Sequence, residues 1–338
     1  MTGLFTKGIA IDLGTANTLI YIKGRGIVLD EPSVIAISER DSSVLAVGRE
    51  AKEIYGKTPD FIKTVRPIKD GVITDFEITQ QMISSFILRV LKPPLLFGKR
   101  IKMVIGVPSG ITDVEKRAVI EAAEKAQARE VYLIAEPMAA AIGSGLPVHE
   151  PTAQMIVDIG GGTTEAAVIC SYVVSCWESI RVAGDEMDEA IAHYIRERFN
   201  LDIDIFEAER VKKAIGCATS QEEKLEIDVR GKDLSTEMPK IVRVDSEMIR
   251  ESLRSPLMSI IEVIRRTLEH ISSALAADIQ DRGLTIAGGG SLLRGLAPFI
   301  ESEIHLPVQV ARDPLVAIVR GAGIVLENFS TYRRVCLG

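Results

Sequence analysis

Two short segments of this 338-residue chain share one chemical plan. The first is Asp12-Leu13-Gly14-Thr15-Ala16-Asn17-Thr18, and the second is Asp158-Ile159-Gly160-Gly161-Gly162-Thr163-Thr164. Both read Asp, apolar, Gly, any, small, any, Thr. Both follow three apolar residues and precede another strand-like run. The plan suits a polyphosphate. Gly or Ala at a turn lets a phosphate approach the backbone closely. Turn amides and hydroxyls donate to its oxygens. An Asp at the strand end holds Mg²⁺ through water, because Mg²⁺ keeps much of its hydration shell. Gly14, Thr15, Ala16, Asn17 and Thr18 are thus candidate phosphate contacts, as are Gly160, Gly161, Gly162 and Thr163. Asp12 and Asp158 are the candidate metal carboxylates. A single D-x-G is also an ordinary strand-ending turn; the repeat in matching contexts argues for a clamp on one nucleotide. No G-x-x-x-x-G-K-S/T occurs, so this is not a P-loop.

The elements that must position these segments recur in the same order. Apolar runs bounded by Gly and Asp predict strands at 9–11, 19–22, 27–28 and 34–37. A helix is expected over 77–91, a buried strand over 102–107 ending at Pro108, and a helix over 112–127 capped by Thr112 or Asp113 with Glu115 in its first turn. A strand at 131–134 leads to Pro137, well placed to open a helix at 138–142. The pattern then restarts with strands at 155–157, 166–170 and 173–177 and helices at 185–199 and 207–216. Residues 224–244 alternate as a small sheet with Gly231-Lys232-Asp233 at its turn. One long helical pattern fills 246–275. A strand at 284–286 runs into Gly288-Gly289-Gly290 and a helix from about 291. Mixed sheets with helices, written twice, predict two similar α/β domains packed around a cleft.

Composition removes several functions. The chain is 46% hydrophobic and 26% charged, as in ordinary globular proteins. Aromatics make up 5% and the net charge is −7, which argues against nucleic acid as a partner. Cys170, Cys176, Cys217 and Cys336 form no C-x-x-C pair and read as free thiols of a reducing compartment. His149, His193, His270 and His305 are scattered, and no nucleophilic triad is assembled from them. There is no secretory-signal pattern and no run of about 18 apolar residues, so a cytoplasmic location is expected.

Five further segments join the two hairpins in a resemblance to the actin, hexokinase and heat-shock ATPase superfamily and, within it, the MreB family of bacterial actins. Together the segments are 9–18 (IAIDLGTANT), 26–34 (GIVLDEPSV), 107–110 (VPSG), 136–143 (EPMAAAIG), 157–165 (VDIGGGTTE), 183–188 (AGDEMD) and 287–296 (AGGGSLLRGL). The resemblance runs from Ile9 to about Glu327. It implies an actin-like, duplicated ribonuclease H-like α/β fold, with mixed five-stranded sheets flanked by helices and four subdomains around a nucleotide cleft. Subdomain IA would take 1–33, 72–146 and 317–338; IB 34–71; IIA 147–184 and 245–316; and IIB 185–244.

The resemblance also implies roles. Glu136 would orient the water that attacks the γ-phosphate, with Thr163 assisting and Asp158 in the catalytic set; an acidic residue at a helix N-terminus is otherwise simply favourable to the dipole. Glu209, Lys212 and Lys213 would contact ribose and adenine, Gly288, Gly289, Gly290 and Ser291 would complete the adenosine side, and Gly184 and Asp185 would border the pocket. ATP or ADP with Mg²⁺ would be the cofactors of a slow ATPase coupled to polymerisation. The implied function is a filament under the cell membrane that determines rod shape by organising peptidoglycan synthesis. Its partners would be further copies, in paired antiparallel protofilaments, the inner membrane surface, and elongation proteins such as MreC, MreD and RodZ. Val114 matches a position at the paired-filament interface, or else packs in the core. The helical run at Leu268-Glu269-His270 lacks the Pro pair common there in the family. The rivals are another bacterial actin for plasmid or organelle positioning, a small-molecule kinase of the superfamily, and a chaperone ATPase. The kinase needs a sugar insert and a catalytic Asp, and the chaperone a peptide-binding domain; neither is recognisable.

Leu95, Leu96 and Phe97 stand between Pro93-Pro94 and Gly98, flanked by Lys92, Lys99, Arg100 and Lys102. They either tuck into the core or dip into a membrane whose anionic headgroups the basic flank attracts. Leu4 and Phe5, near Lys7, form a second small wedge. Burying one Leu or Phe fully contributes about 1.5–3 kcal/mol, so one copy would hold a membrane weakly and a filament firmly. Replacing Leu96 and Phe97 together by Ser is expected to abolish co-sedimentation of polymerised protein with anionic liposomes; normal pelleting would remove this loop from membrane binding.

Overall fold

The structure, a computed structural model, describes residues 6–57, 59, 61–91, 100–220 and 223–337. Leu4, Phe5, Leu95, Leu96 and Phe97 lie outside the described residues. The chain divides into two compact units, one comprising Met1–Pro151, Ile169–Val174 and Leu315–Gly338, the other Thr152–Val168 and Ser175–Pro314.

The first unit is built on a six-stranded sheet in the order Cys336–Leu337, Ala128–Ala135, Arg100–Val107, Thr6–Leu13, Asn17–Ile22, Gly26–Pro32. Its central strands carry continuous apolar runs, Ile9-Ala10-Ile11 and Met103-Val104-Ile105, all buried. A strand covered on both faces demands such runs. Thr6–Leu13 is antiparallel to Asn17–Ile22 and parallel to Arg100–Val107, which is parallel to Ala128–Ala135. Asp12, Val107 and Ala135 therefore finish at one edge, the carboxyl end where such sheets place their ligands.

The second unit repeats the plan with five strands, ordered Val173–Ile180, Thr164–Cys170, Gln154–Ile159, Leu284–Ala287, Val308–Val310. Gln154–Ile159, Leu284–Ala287 and Val308–Val310 are parallel. The first sheet exceeds the five strands expected because Cys336–Leu337 joins its edge, antiparallel to Leu133 and Ile134. Each unit also carries a small three-stranded sheet, of Ile35–Ser38, Val44–Val47 and Ile62–Val65 in the first and of Leu201–Asp202, Glu226–Asp233 and Pro239–Asp245 in the second.

Three local expectations change. The turn of the 224–244 sheet lies beyond Asp233, because Asp233 Oδ1 accepts from the N–H groups of Ser235 (2.9 Å) and Thr236 (3.1 Å). Gly231 instead serves strand packing, since a Cβ there would lie 2.2 Å from the Asp202 carbonyl oxygen. The long helical pattern breaks into Ser246–Glu269 and Ser273–Arg282, because the Ser272 side chain caps a new helix. The Gly triplet opens a 3₁₀ turn, Gly289–Leu292, and the α-helix begins only at Leu296.

One helix crossing sets the position of Glu136. The helix Glu136–Gly143 is buried along its whole length. It packs against Ala317–Glu327 so closely that a Cβ at Gly143 would lie 1.9 Å from the Ala317 carbonyl oxygen, and one at Gly321 1.8 Å from that of Ala139. Backbone meets backbone here, so no side chain can yield. Gly321→Ala is expected to lower the unfolding free energy by about 3 kcal/mol; a urea midpoint equal to that of the parent would show that the crossing does not hold the unit.

Candidate functional site

The first hairpin is braced from behind by Ser33. Its hydroxyl donates to the Gly14 carbonyl at 2.6 Å and lies 2.9 Å from Thr18 Oγ1, and its N–H donates to the Ala16 carbonyl at 2.9 Å. Thr15 is equally engaged: its Oγ1 accepts from the Gly71 N–H at 3.1 Å, and its carbonyl accepts from Arg66 at 3.4 Å. Thr15, Thr18 and Ser33 are buried. The Thr15 and Thr18 hydroxyls therefore also brace the hairpin. Asn17 Nδ2 donates to Asp30 at 2.8 Å, and Ala16 is exposed at the tip.

The second hairpin has the same turn and different braces. Its tip closes through the Gly160 N–H donating to the Thr163 carbonyl at 2.9 Å. The N–H groups of Gly184 and Asp185 donate to the carbonyls of Gly160 (3.2 Å) and Gly161 (2.7 Å). Thr164 Oγ1 donates to the Val182 carbonyl at 2.7 Å. Thr163 is half-buried. Gly184 and Asp185 thus belong to this hairpin's support.

The Gly288–Ser291 turn lies against the same strand. Gly288 has φ 77°, and a Cβ there would lie 2.3 Å from the Ile159 carbonyl oxygen and 2.9 Å from Asp158 Oδ1. Ser291 is buried and its hydroxyl donates to the Gly288 carbonyl at 2.7 Å. The structure thus brings Asp158, Gly160, Gly184, Asp185 and Gly288 together in the second unit. Glu209 pairs with Lys213 at 2.6 Å on the exposed side of the helix Ile205–Ile215. Lys212 turns inward to Asp188, 2.8 Å away.

Burial tunes the acids. Asp158 is 4% exposed, its Oδ1 has no hydrogen-bond partner, and desolvation pushes its carboxyl up to about 7. A buried, unsatisfied carboxylate at a sheet's carboxyl edge fits a group that meets a cation or its water shell. Desolvation also raises Asp188 to about 7, against the pull of Lys212. In the first unit, Asp12 is 6% and Glu136 8% exposed. Asp12 is directly paired with Gly106, over which Glu136 lies. Glu136 borders a cavity of about 30 Å³ lined also by Leu13, Ile68, Gly106, Pro108 and Ile111, enough for a water molecule. Among the described residues no group of three or more His, Cys, Asp or Glu could hold a metal ion, and no helix is long and apolar enough to cross a membrane.

Ser33, Asp188 and Thr164 were absent from the sequence-derived site. Ser33 and Asp188 were signalled only by lying in the resemblance segments 26–34 and 183–188, whereas Thr164 also closes the hairpin plan that Thr18 closes in the first copy. Val114 is 78% exposed, so the core-packing alternative for it is excluded.

Comparison with known proteins gives a consistent picture. The family model described as MreB/Mbl protein matches residues 6–334. The cell shape-determining protein MreB of Escherichia coli strain K12 is 47% identical over 329 residues, 96% of this chain and 94% of that protein. The cell shape-determining protein Mbl of Bacillus subtilis strain 168 is 43% identical over 325 residues, 96% of this chain and 97% of that one. Among solved structures, MreB5 of Spiroplasma citri bound to AMPPNP has a TM-score of 0.92 at 33% identity, covering 97% of this chain and 98% of that chain. The MamK double helical filament has a TM-score of 0.82 at 23% identity, a likeness of fold alone.

The raised Asp158 carboxyl makes a prediction for the nucleotide-free protein. The folded state holds this proton more tightly than the unfolded one, so the group's contribution to stability falls as pH rises from 3.8 to about 7. Asp158→Asn removes the cost of the buried charge. It is expected to raise Tm by about 2–4 °C at pH 8 and to give a smaller gain at pH 5. A Tm shift of equal size at both pH values would exclude a titrating Asp158.

Proposed function

We propose, from the premise that this chain belongs to the MreB/Mbl family of actin-like, cell shape-determining proteins, that it is an ATP-dependent filament protein of the inner membrane surface that sets rod shape by organising cell-wall synthesis. The observation that carries the reading is the actin-like fold, shared almost end to end with a relative solved with AMPPNP and with ADP. The chain's own hairpins agree with it, each ending a central strand in a buried Asp.

ATP would lie with its phosphates on the two hairpins and its adenosine toward Gly288–Ser291 and Glu209. Asp12 and Asp158 would hold Mg²⁺, largely through water, since Mg²⁺ keeps much of its hydration shell. The ion would supply neutralisation of phosphate charge. Glu136 would accept a hydrogen bond from a water in the water-sized cavity it borders and orient it; the assisting role of the Thr163 hydroxyl is proposed by family membership. Phosphoryl transfer needs mainly such positioning and charge stabilisation, so a slow ATPase follows from few residues.

Polymerisation suits the surface. Val114 is a large apolar side chain that the first unit leaves bare, and pairing of antiparallel protofilaments would cover it. The elongation proteins MreC, MreD and RodZ are partners proposed by family membership, as is the subdomain division given above. The membrane wedge at Leu95, Leu96 and Phe97, with Leu4 and Phe5, is proposed on sequence alone. Another bacterial actin function is the nearest rival; vesicle-bound paired filaments formed in Mg-ATP, seen by electron microscopy, distinguish the reading from a monomer that phosphorylates a sugar.

Glu136→Ala is expected to bind ATP with unchanged affinity and form filaments, yet release phosphate about 10–100-fold more slowly. An unchanged rate of phosphate release in filament-forming mutant would remove Glu136 from hydrolysis.

A further inference from the structure

The two segments assigned above to the adenosine side lie far apart in sequence, and a side chain joins them. The helix Ile205–Ile215 carries Glu209, Lys212 and Lys213. It stops at Gly216, whose N–H donates to the Lys212 carbonyl at 2.8 Å and whose own carbonyl accepts from Arg294 Nε at 3.1 Å. Arg294 comes just after the 3₁₀ turn Gly289–Leu292. The two backbones also meet here. Cys217 and Arg294 form a parallel bridge, and the Ala218 N–H donates to the Arg294 carbonyl at 2.7 Å. The approach is close: a Cβ at Gly216 would lie 2.4 Å from the Lys212 carbonyl oxygen and 3.1 Å from Leu293 Cδ1. Cys217 and Ala218 are buried, so water cannot easily replace a lost bond at this junction.

A helix leaves its last carbonyl groups without partners inside the helix and gathers negative charge at that end. A guanidinium serves both needs, because it donates hydrogen bonds and stays charged. Here the guanidinium comes from the other segment. The contact that closes the helix therefore also sets its distance from the Gly triplet. Arg294 Nη2 is buried and has no hydrogen-bond partner. A buried donor without a partner costs stability, so its presence argues that the side chain serves placement.

We infer that Arg294 is a positioning residue of the adenosine side: through the Gly216 carbonyl it holds the end of the helix that carries Glu209, Lys212 and Lys213 in register with the turn Gly288–Ser291. This rests on the nucleotide reading above. Arg294 itself touches no ligand in this assignment. It acts on the base and ribose end alone, since both segments it joins belong to that end.

The test uses the full chain carrying Arg294→Leu, which leaves the Gly216 carbonyl without its donor, and Arg294→Lys, which keeps a charge and a donor. AMP, ADP and AMPPNP are titrated calorimetrically with Mg²⁺ at a folded fraction checked by urea midpoint, and amide hydrogen exchange is followed without nucleotide. Arg294→Leu is expected to weaken all three nucleotides by the same factor, about tenfold, the worth of one charge-assisted hydrogen bond. Arg294→Lys should recover affinity to within about threefold of the parent. Exchange in Arg294→Leu should quicken over 213–218 and stay unchanged over 160–162. Three results would overturn the inference: AMPPNP affinity in Arg294→Leu within about twofold of the parent, a loss that grows from AMP to AMPPNP, or no recovery in Arg294→Lys. Exchange that quickens equally over 160–162 would overturn it too, by showing a general loosening of the unit. If the parent binds no nucleotide, the nucleotide reading falls by itself, and unchanged exchange over 213–218 is then the result that overturns this one.

Discussion

A turn that presents itself to a polyphosphate must have its carbonyl groups satisfied from the other side. A buried carbonyl without a donor is costly, and a turn this short cannot supply enough donors of its own. The rest of each unit is arranged around that need. In the first, Ser33 serves the carbonyls of Gly14 and Ala16, and reaches them because Gly26–Pro32 pairs with Asn17–Ile22. In the second, the first amides of the helix Gly184–Phe199 serve Gly160 and Gly161. Duplicated hairpins therefore rest on unlike supports, a side chain in one and a helix N-terminus in the other.

Charge follows the same logic. The helix N-terminus beside the second hairpin is already electropositive. Lys212 adds to it and needs Asp188 to be buried at all. Asp158, by contrast, has no countercharge at hand, so burial alone raises its carboxyl to about 7. The nucleotide-free unit holds an acid it would be more stable without, which is typical where stability yields to binding.

Glu136 shows how a distant contact fixes the position of one acid. Its helix is too short to be stable alone. It is held by a crossing with Ala317–Glu327, nearly two hundred positions on in sequence, and that crossing depends on Gly143 and Gly321. Glu136 then sits over Gly106, one strand from Asp12, bordering a water-sized cavity.

Much of this protein was legible without coordinates. Periodicity gave the central strands, and the caps gave helix starts such as Thr112, whose capping box with Glu115 is present. The Asp-Gly repeat announced the duplication, and the spaced motifs announced the family. These signals are local, set by side-chain type over a few residues. What the sequence misplaced was also physical. Gly231 read as a turn because a glycine needed for close approach to Asp202 looks the same in sequence as one needed for a bend. The two Asp-Gly hairpins were thus determined by the sequence itself, as turns with acids at their base. Only the tertiary structure decided that Ser33 and Gly184–Asp185 hold them, that Lys212 turns toward Asp188, and that Asp158 is an acid titrating near neutrality, because desolvation and contacts between distant segments exist only once the chain has folded.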